Sequence, residues 1–112
     1  MDKTIIYKDE EYEIPFNLNV MEAIQEEYGS LEAWFDIISG ENVSIKAIKF
    51  GIREMLNEGI DIFNETAEKE AKRKAFTSKQ VGRIVTEIGM HNLYNVMTES
   101  IEESTKSDEK NA

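Results

Sequence analysis

His91 is the only histidine and cysteine is absent, so a metal site built on imidazole or thiolate ligands would lack a second such ligand. The absence of cysteine also removes disulfides and a thiol nucleophile. Ser30, Ser44 and Thr77 carry hydroxyls, but each stands just before a helical apolar pattern, where the oxygen caps the backbone instead. No HExxH, GxxxxGK[ST] or GxGxxG pattern occurs. Carboxylates could converge from anywhere in a fold, yet every Asp and Glu here is accounted for as surface charge, cap or first-turn residue. The residues therefore predict a protein without catalytic groups, metal or cofactor.

Charge is unevenly placed along the chain. The formal net charge is −10, with −9 in residues 1–41, +2 in residues 42–98 and −3 in residues 99–112. Nucleic-acid phosphates call for a net basic footprint, and the acidic first third opposes one. The best basic candidate is the run Lys69, Lys72, Arg73 and Lys74, with Lys79 and Arg83 beyond. It alternates with Glu65, Glu68 and Glu70, which favours pairing on a helix surface. Only Phe76 is interleaved for stacking on bases. A small RNA-binding regulator using residues 69–83 is thus a minor reading.

The elements that must position these residues are well punctuated. Thr4–Tyr7 and Tyr12–Ile14 read as two short strands of a hairpin, joined by the charged stretch Lys8–Glu11, with Pro15 ending the second strand. Asn19 and Glu22 have the spacing of a capping box. Val20, Met21, Ile24 and Tyr28 follow on one helical face, and Gly29 is placed to stop that helix. Ser30 opens a second helix with Leu31, Trp34, Phe35 and Ile38 inward and Gly40 at its end. Ser44 opens a third with Ile45, Ile48, Ile52, Met55 and Leu56 inward, and Asn57 with Gly59 gives its stop.

Residues 60–76 are charged and lack an apolar stripe, so they read as a fraying exposed helix or a mobile crossover. Thr77 and Gln80 form another capping box ahead of Val81, Ile84, Val85 and Ile88. Beyond Gly89, the stripe Leu93, Val96, Met97 and Ile101 would be rotated by roughly 100° if one straight helix ran through. A break at Gly89 lets both stripes meet one core. The expected fold is mainly α: a short N-terminal β-hairpin followed by a compact bundle of four to five helices. Residues 1–104 form a single domain and residues 105–112 a disordered acidic tail.

The order of these segments resembles a known family. It runs from Tyr12-Glu13-Ile14-Pro15-Phe16-Asn17-Leu18-Asn19 through Met21–Leu31 to Ile45–Gly59, with Gly51-Ile52-Arg53-Glu54-Met55-Leu56-Asn57-Glu58-Gly59 at its close. It continues with Thr77-Ser78-Lys79-Gln80-Val81-Gly82-Arg83-Ile84-Val85 and a closing helix. Over residues 3–104 this arrangement resembles the tail assembly chaperones of long-tailed bacteriophages, particularly those of phages and prophages of Gram-positive bacteria. The segment 60–76 is longer than that arrangement implies. The resemblance implies a helper protein of the bacterial host cytoplasm, absent from the finished virion, that coats the tape measure protein and recruits tail tube subunits. It also implies the short form of a protein that a translational frameshift extends in several phages, and it supplies no catalytic residue.

A chaperone must cover apolar surface on its client and later release it, so some of its own apolar groups should face solvent. Phe50 off the main face of its helix, Phe63 in the charged stretch, Phe76 before its cap and Tyr94 beside the main face of the last helix are the candidate partner-binding residues, with packing as a second core layer the alternative for each. The competing reading is an acidic inhibitor or DNA mimic acting on a host DNA-binding protein, drawn from the charge of residues 1–41. No apolar run long enough to span a bilayer occurs, and Met1–Thr4 lacks the start of a signal peptide.

Overall fold

The computed structural model describes residues 3–111, with side chains described through Thr105. In chain order the elements are β1 (Thr4–Tyr7), β2 (Glu10–Glu13), α1 (Leu18–Tyr28), α2 (Leu31–Ser39) and α3 (Ile45–Thr66). A 3₁₀ turn (Lys69–Ala71), α4 (Ser78–Ile88) and α5 (Met90–Asn111) complete them. Among the described residues this is the expected hairpin followed by five α-helices. The helix α5 continues past the point where the polar tail is expected. The tail's side chains from residue 106 onward lie outside the described residues.

The strands β1 and β2 pair antiparallel, with Thr4 opposite Glu13 and Tyr7 opposite Glu10. Lys8 and Asp9 alone make the turn, with φ of 51° and 65°. Two consecutive left-handed residues form the turn whose twist matches that of paired strands. Glu10 and Glu11 therefore belong to β2, not to the connection. Alternation sends Ile5 and Tyr12 into the core and leaves Ile6 67% exposed.

Asn17, not Asn19, caps α1: its side-chain oxygen accepts from the Val20 amide at 3.2 Å. Asn19 lies inside the first turn, so the box with Glu22 does not form. The amides of Asn17 and Asn19 both donate to Glu58 on α3, at 2.7 and 2.9 Å. Starting the helix two residues earlier lets one carboxylate gather both amides. Ser30, Ser44 and Thr77 cap α2, α3 and α4 as expected, and Gln80 completes the box with Thr77.

Neither Asn57 nor Gly59 stops α3, which runs on to Thr66. Gly59 serves close approach instead. A Cβ there would collide with the Glu13 backbone carbonyl, so glycine lets β2 lie directly on the helix. Farther up α3, Gly51 gives the same clearance to the Trp34 ring. Ile45, expected inward, is 63% exposed. It sits on the first turn beyond the packed surface, and Ala47 takes the buried place.

Trp34 is fully buried, its indole N–H donates to the Ala47 carbonyl at 3.0 Å, and Phe16 stacks on it at 6.3 Å. Gly89 takes φ of 102°, separating α4 from α5. The break allows Val81, Ile84 and Val85 to be buried in one core with Leu93 and Met97. From α5, Ser100 and Ser104 donate to the carbonyls of Ile14 and Phe16 at 2.7 and 2.8 Å. These bonds satisfy two carbonyls of the link between β2 and α1, whose Ile14 amide donates to the Lys3 carbonyl at 2.9 Å.

Candidate partner-binding surface

The expected binding residues separate into three places. Phe50 is half-buried, meets Tyr28 edge-on at 5.5 Å and is overlaid by Arg53 at 5.3 Å. Tyr94 is half-buried beside Phe35, Ile38 and Ile101 in a shallow apolar groove between α2 and α5. Phe63 and Phe76 come together across the crossover that links α3 to α4, in a cleft they share with Tyr12. Phe63 is 38% exposed and Phe76 is half-buried. Phe50, Phe76 and Tyr94 thus pack as a second layer on the core rather than standing free, because each meets another ring or an apolar neighbour.

The crossover is held by side chains rather than by a helix or a sheet. Asn57 receives the Phe76 amide at 2.8 Å and donates to the Phe76 carbonyl at 3.1 Å. Asn64 does the same for Arg73, at 2.9 and 2.8 Å. Each asparagine therefore mimics one residue of a neighbouring strand. The spacing explains why two suffice. Seven residues along a helix rise about 10.5 Å, and three extended residues span about 10 Å. Asn57 to Asn64 on α3 consequently matches Phe76 back to Arg73 on the crossover, the two running in opposite directions. Sequence reasoning missed this role. The only trace is two asparagines seven apart, and nothing local says what they face.

Arg73 is the centre of this region. Its guanidinium lies 4.1 Å from the Phe63 ring centre and 4.5 Å from that of Tyr12. It also donates to the Glu11 carbonyl at 2.9 Å and sits 3.8 Å from the Glu10 carboxylate. Being planar and weakly hydrated, it can lie against two rings and still use its fork of donors. Tyr12 donates its hydroxyl to Glu10 at 2.8 Å. Burial, and then that bond to a carboxylate, raise the Tyr12 pKa above the usual tyrosine value.

Around these groups lie two adjoining clefts that share Glu10, Tyr12, Phe76 and Gln80. Lys8 and Arg83 flank one, and Lys72 and Lys74 flank the other. Elsewhere the surface exposes single apolar side chains: Ile6, Leu18 at 79%, Val43, Ile45 and Ile62. Leu18 becomes legible as exposed only once Asn17 is taken as the cap. Among the described residues, no three acidic or histidine side chains gather as a metal site, and no helix is long and apolar enough to cross a membrane.

No family model, curated protein or solved structure matches this chain.

Proposed function

We propose that this protein is a non-enzymatic, protein-binding chaperone of phage tail assembly, acting in the host cytoplasm on the tape measure protein and tail tube subunits. The client classes come from the order of motifs over residues 3–104, described above. The observation that carries the binding role is the exposure of Leu18 and Ile45, at 79% and 63%, on the first turns of capped helices, together with Ile6, at 67%, on the outer face of β1. Such groups gain nothing in the free chain and lose contact with water on binding. Co-expression with a tape measure protein should raise that protein's solubility, and the two should co-purify. Leu18→Glu combined with Ile45→Glu should weaken co-purification while leaving the melting temperature nearly unchanged, because both side chains face solvent. Unaltered client solubility without co-purification would defeat the proposal.

A second reading keeps one specific support. Glu22, Glu26, Glu27, Glu32, Asp36 and Glu41 are all exposed on or beside α1 and α2. This acidic surface suits an inhibitor or DNA mimic that docks on a basic protein. That role requires displacement of DNA from a host DNA-binding protein, weakened steeply by salt.

A further inference from the structure

We propose that the paired clefts between the hairpin, residues 72–77 and the start of α4 form a docking groove for an acidic, extended segment of another protein. This inference stands apart from the chaperone reading. It rests on charge, on ring geometry and on the backbone of the crossover.

The charge on this side runs against that of the whole chain. Lys8, Lys72, Lys74 and Arg83 line the clefts, and none has a carboxylate within 4.0 Å among the described residues. Of the two acids that line the clefts, Glu10 is already engaged by Arg73 and the Tyr12 hydroxyl, leaving Glu70. Lys49 of α3 and Lys79 of α4 extend the basic strip from Arg83 over a neighbouring hollow between those helices, where Glu87 is the one acid in the lining. In a chain of net charge −10, four such cations around one groove attract a negative partner locally.

The geometry selects a protein segment over nucleic acid. Single strands bind by laying bases on open aromatic faces. Here Arg73 occupies a face of both Tyr12 and Phe63. Phe76 is locked edge-to-face with Tyr7 at 6.4 Å and Tyr12 at 5.3 Å. Tyr7, Tyr12, Phe63 and Phe76 still line the clefts, and this apolar lining suits an aliphatic or aromatic side chain. The crossover offers backbone as well. Asn64 and Asn57 satisfy Arg73 and Phe76, whereas the backbone groups of Lys74 and Ala75 have no protein partner among the described residues. Those groups are left for single polar contacts from a partner segment whose carboxylates reach Lys72, Lys74 and Arg83.

The test is fluorescence anisotropy with a labelled peptide of alternating glutamate and leucine. The intact chain should bind it, and rising salt should weaken binding. The triple variant Lys72→Glu, Lys74→Glu, Arg83→Glu should bind at least about tenfold more weakly. These side chains are exposed, and circular dichroism should show that variant to be folded. A peptide of alternating lysine and leucine should not compete. No binding by the intact chain, or equal binding by the triple variant, overturns the proposal. So does tighter binding of an oligothymidylate of equal charge. Self-association of the intact chain that the triple variant abolishes, without peptide binding, would assign the groove to a second copy and likewise overturn it.

Discussion

The two ends of α3 hold their neighbours by different physics. At the Trp34 end, α1, α2 and α3 meet through close apolar packing, with Gly51 cleared for the indole and Phe16 stacked on that ring. At the Arg73 end, an extended crossover is pinned by two asparagines and one guanidinium, above a cleft open to water. Packing of the first kind involves many atoms at once, so it fails as a whole. The second kind is a set of separable bonds between groups that water can also satisfy. It can open locally while the core stays closed. The difference places the adaptable surface at the crossover, beside Lys8, Lys72, Lys74 and Arg83, which have no carboxylate partner among the described residues.

The strongest challenge to this contrast is Trp34→Ala. Removing a fully buried indole should cost about 3–5 kcal/mol, from lost burial and the cavity left behind. It also leaves the Ala47 carbonyl without its side-chain donor. Denaturant unfolding should show a large loss of global stability, shared by all elements. A smaller effect follows from Asn57→Ala, which strips both backbone bonds from Phe76 and should cost about 1–3 kcal/mol. The loss should be regional: hydrogen exchange should accelerate at the amides of Arg73, Phe76 and Thr77 far more than in α1 and α2. If exchange instead rises evenly through the chain, the crossover is as cooperative as the core and the contrast fails.

The gentlest probe is alkaline pH, which acts on both ends. Burial raises the Tyr12 pKa at the crossover, and burial likewise raises that of Tyr28, which lies against Phe50. The Glu103 carboxylate, then Glu99, raises that of Lys3. Each folded form therefore holds its proton more tightly than the unfolded chain does. The stabilisation is complete below the unfolded values, 10.0 for tyrosine and 10.5 for lysine. It is lost as pH rises through the higher folded ones. Melting temperature should fall above about pH 10, and Tyr12→Phe should flatten part of that fall. Phenolate absorbance, followed against pH, reports the tyrosine titration directly.

Much of the architecture is legible in the residues. The caps Ser30, Ser44 and Thr77, the stops Gly29 and Gly89, and most inward faces follow from local preference and periodicity. The errors share a cause. Asn19 and Asn17 are equally good caps locally, and Glu58, distant in sequence, favours the earlier start. Gly59 resembles a stop, but β2 makes it a contact. Ile45 fits the helical stripe, yet no neighbour reaches the first turn of α3. For the candidate surface, the sequence flagged Phe63, Phe76 and the basic run. It gave no hint that Arg73 joins the rings or that Asn57 and Asn64 mimic a strand.

By itself, then, the sequence determined the hairpin, the helices and most of their ends, because capping and amphipathic periodicity act within a few residues. It also determined the uneven charge and the lack of familiar catalytic motifs. Only the tertiary structure decided which expected aromatics pack away and which border a groove. It alone brought Lys8 and Arg83 beside Lys72 and Lys74. Those outcomes depend on contacts between residues far apart in the chain, whose geometry exists only once the core has closed around Trp34.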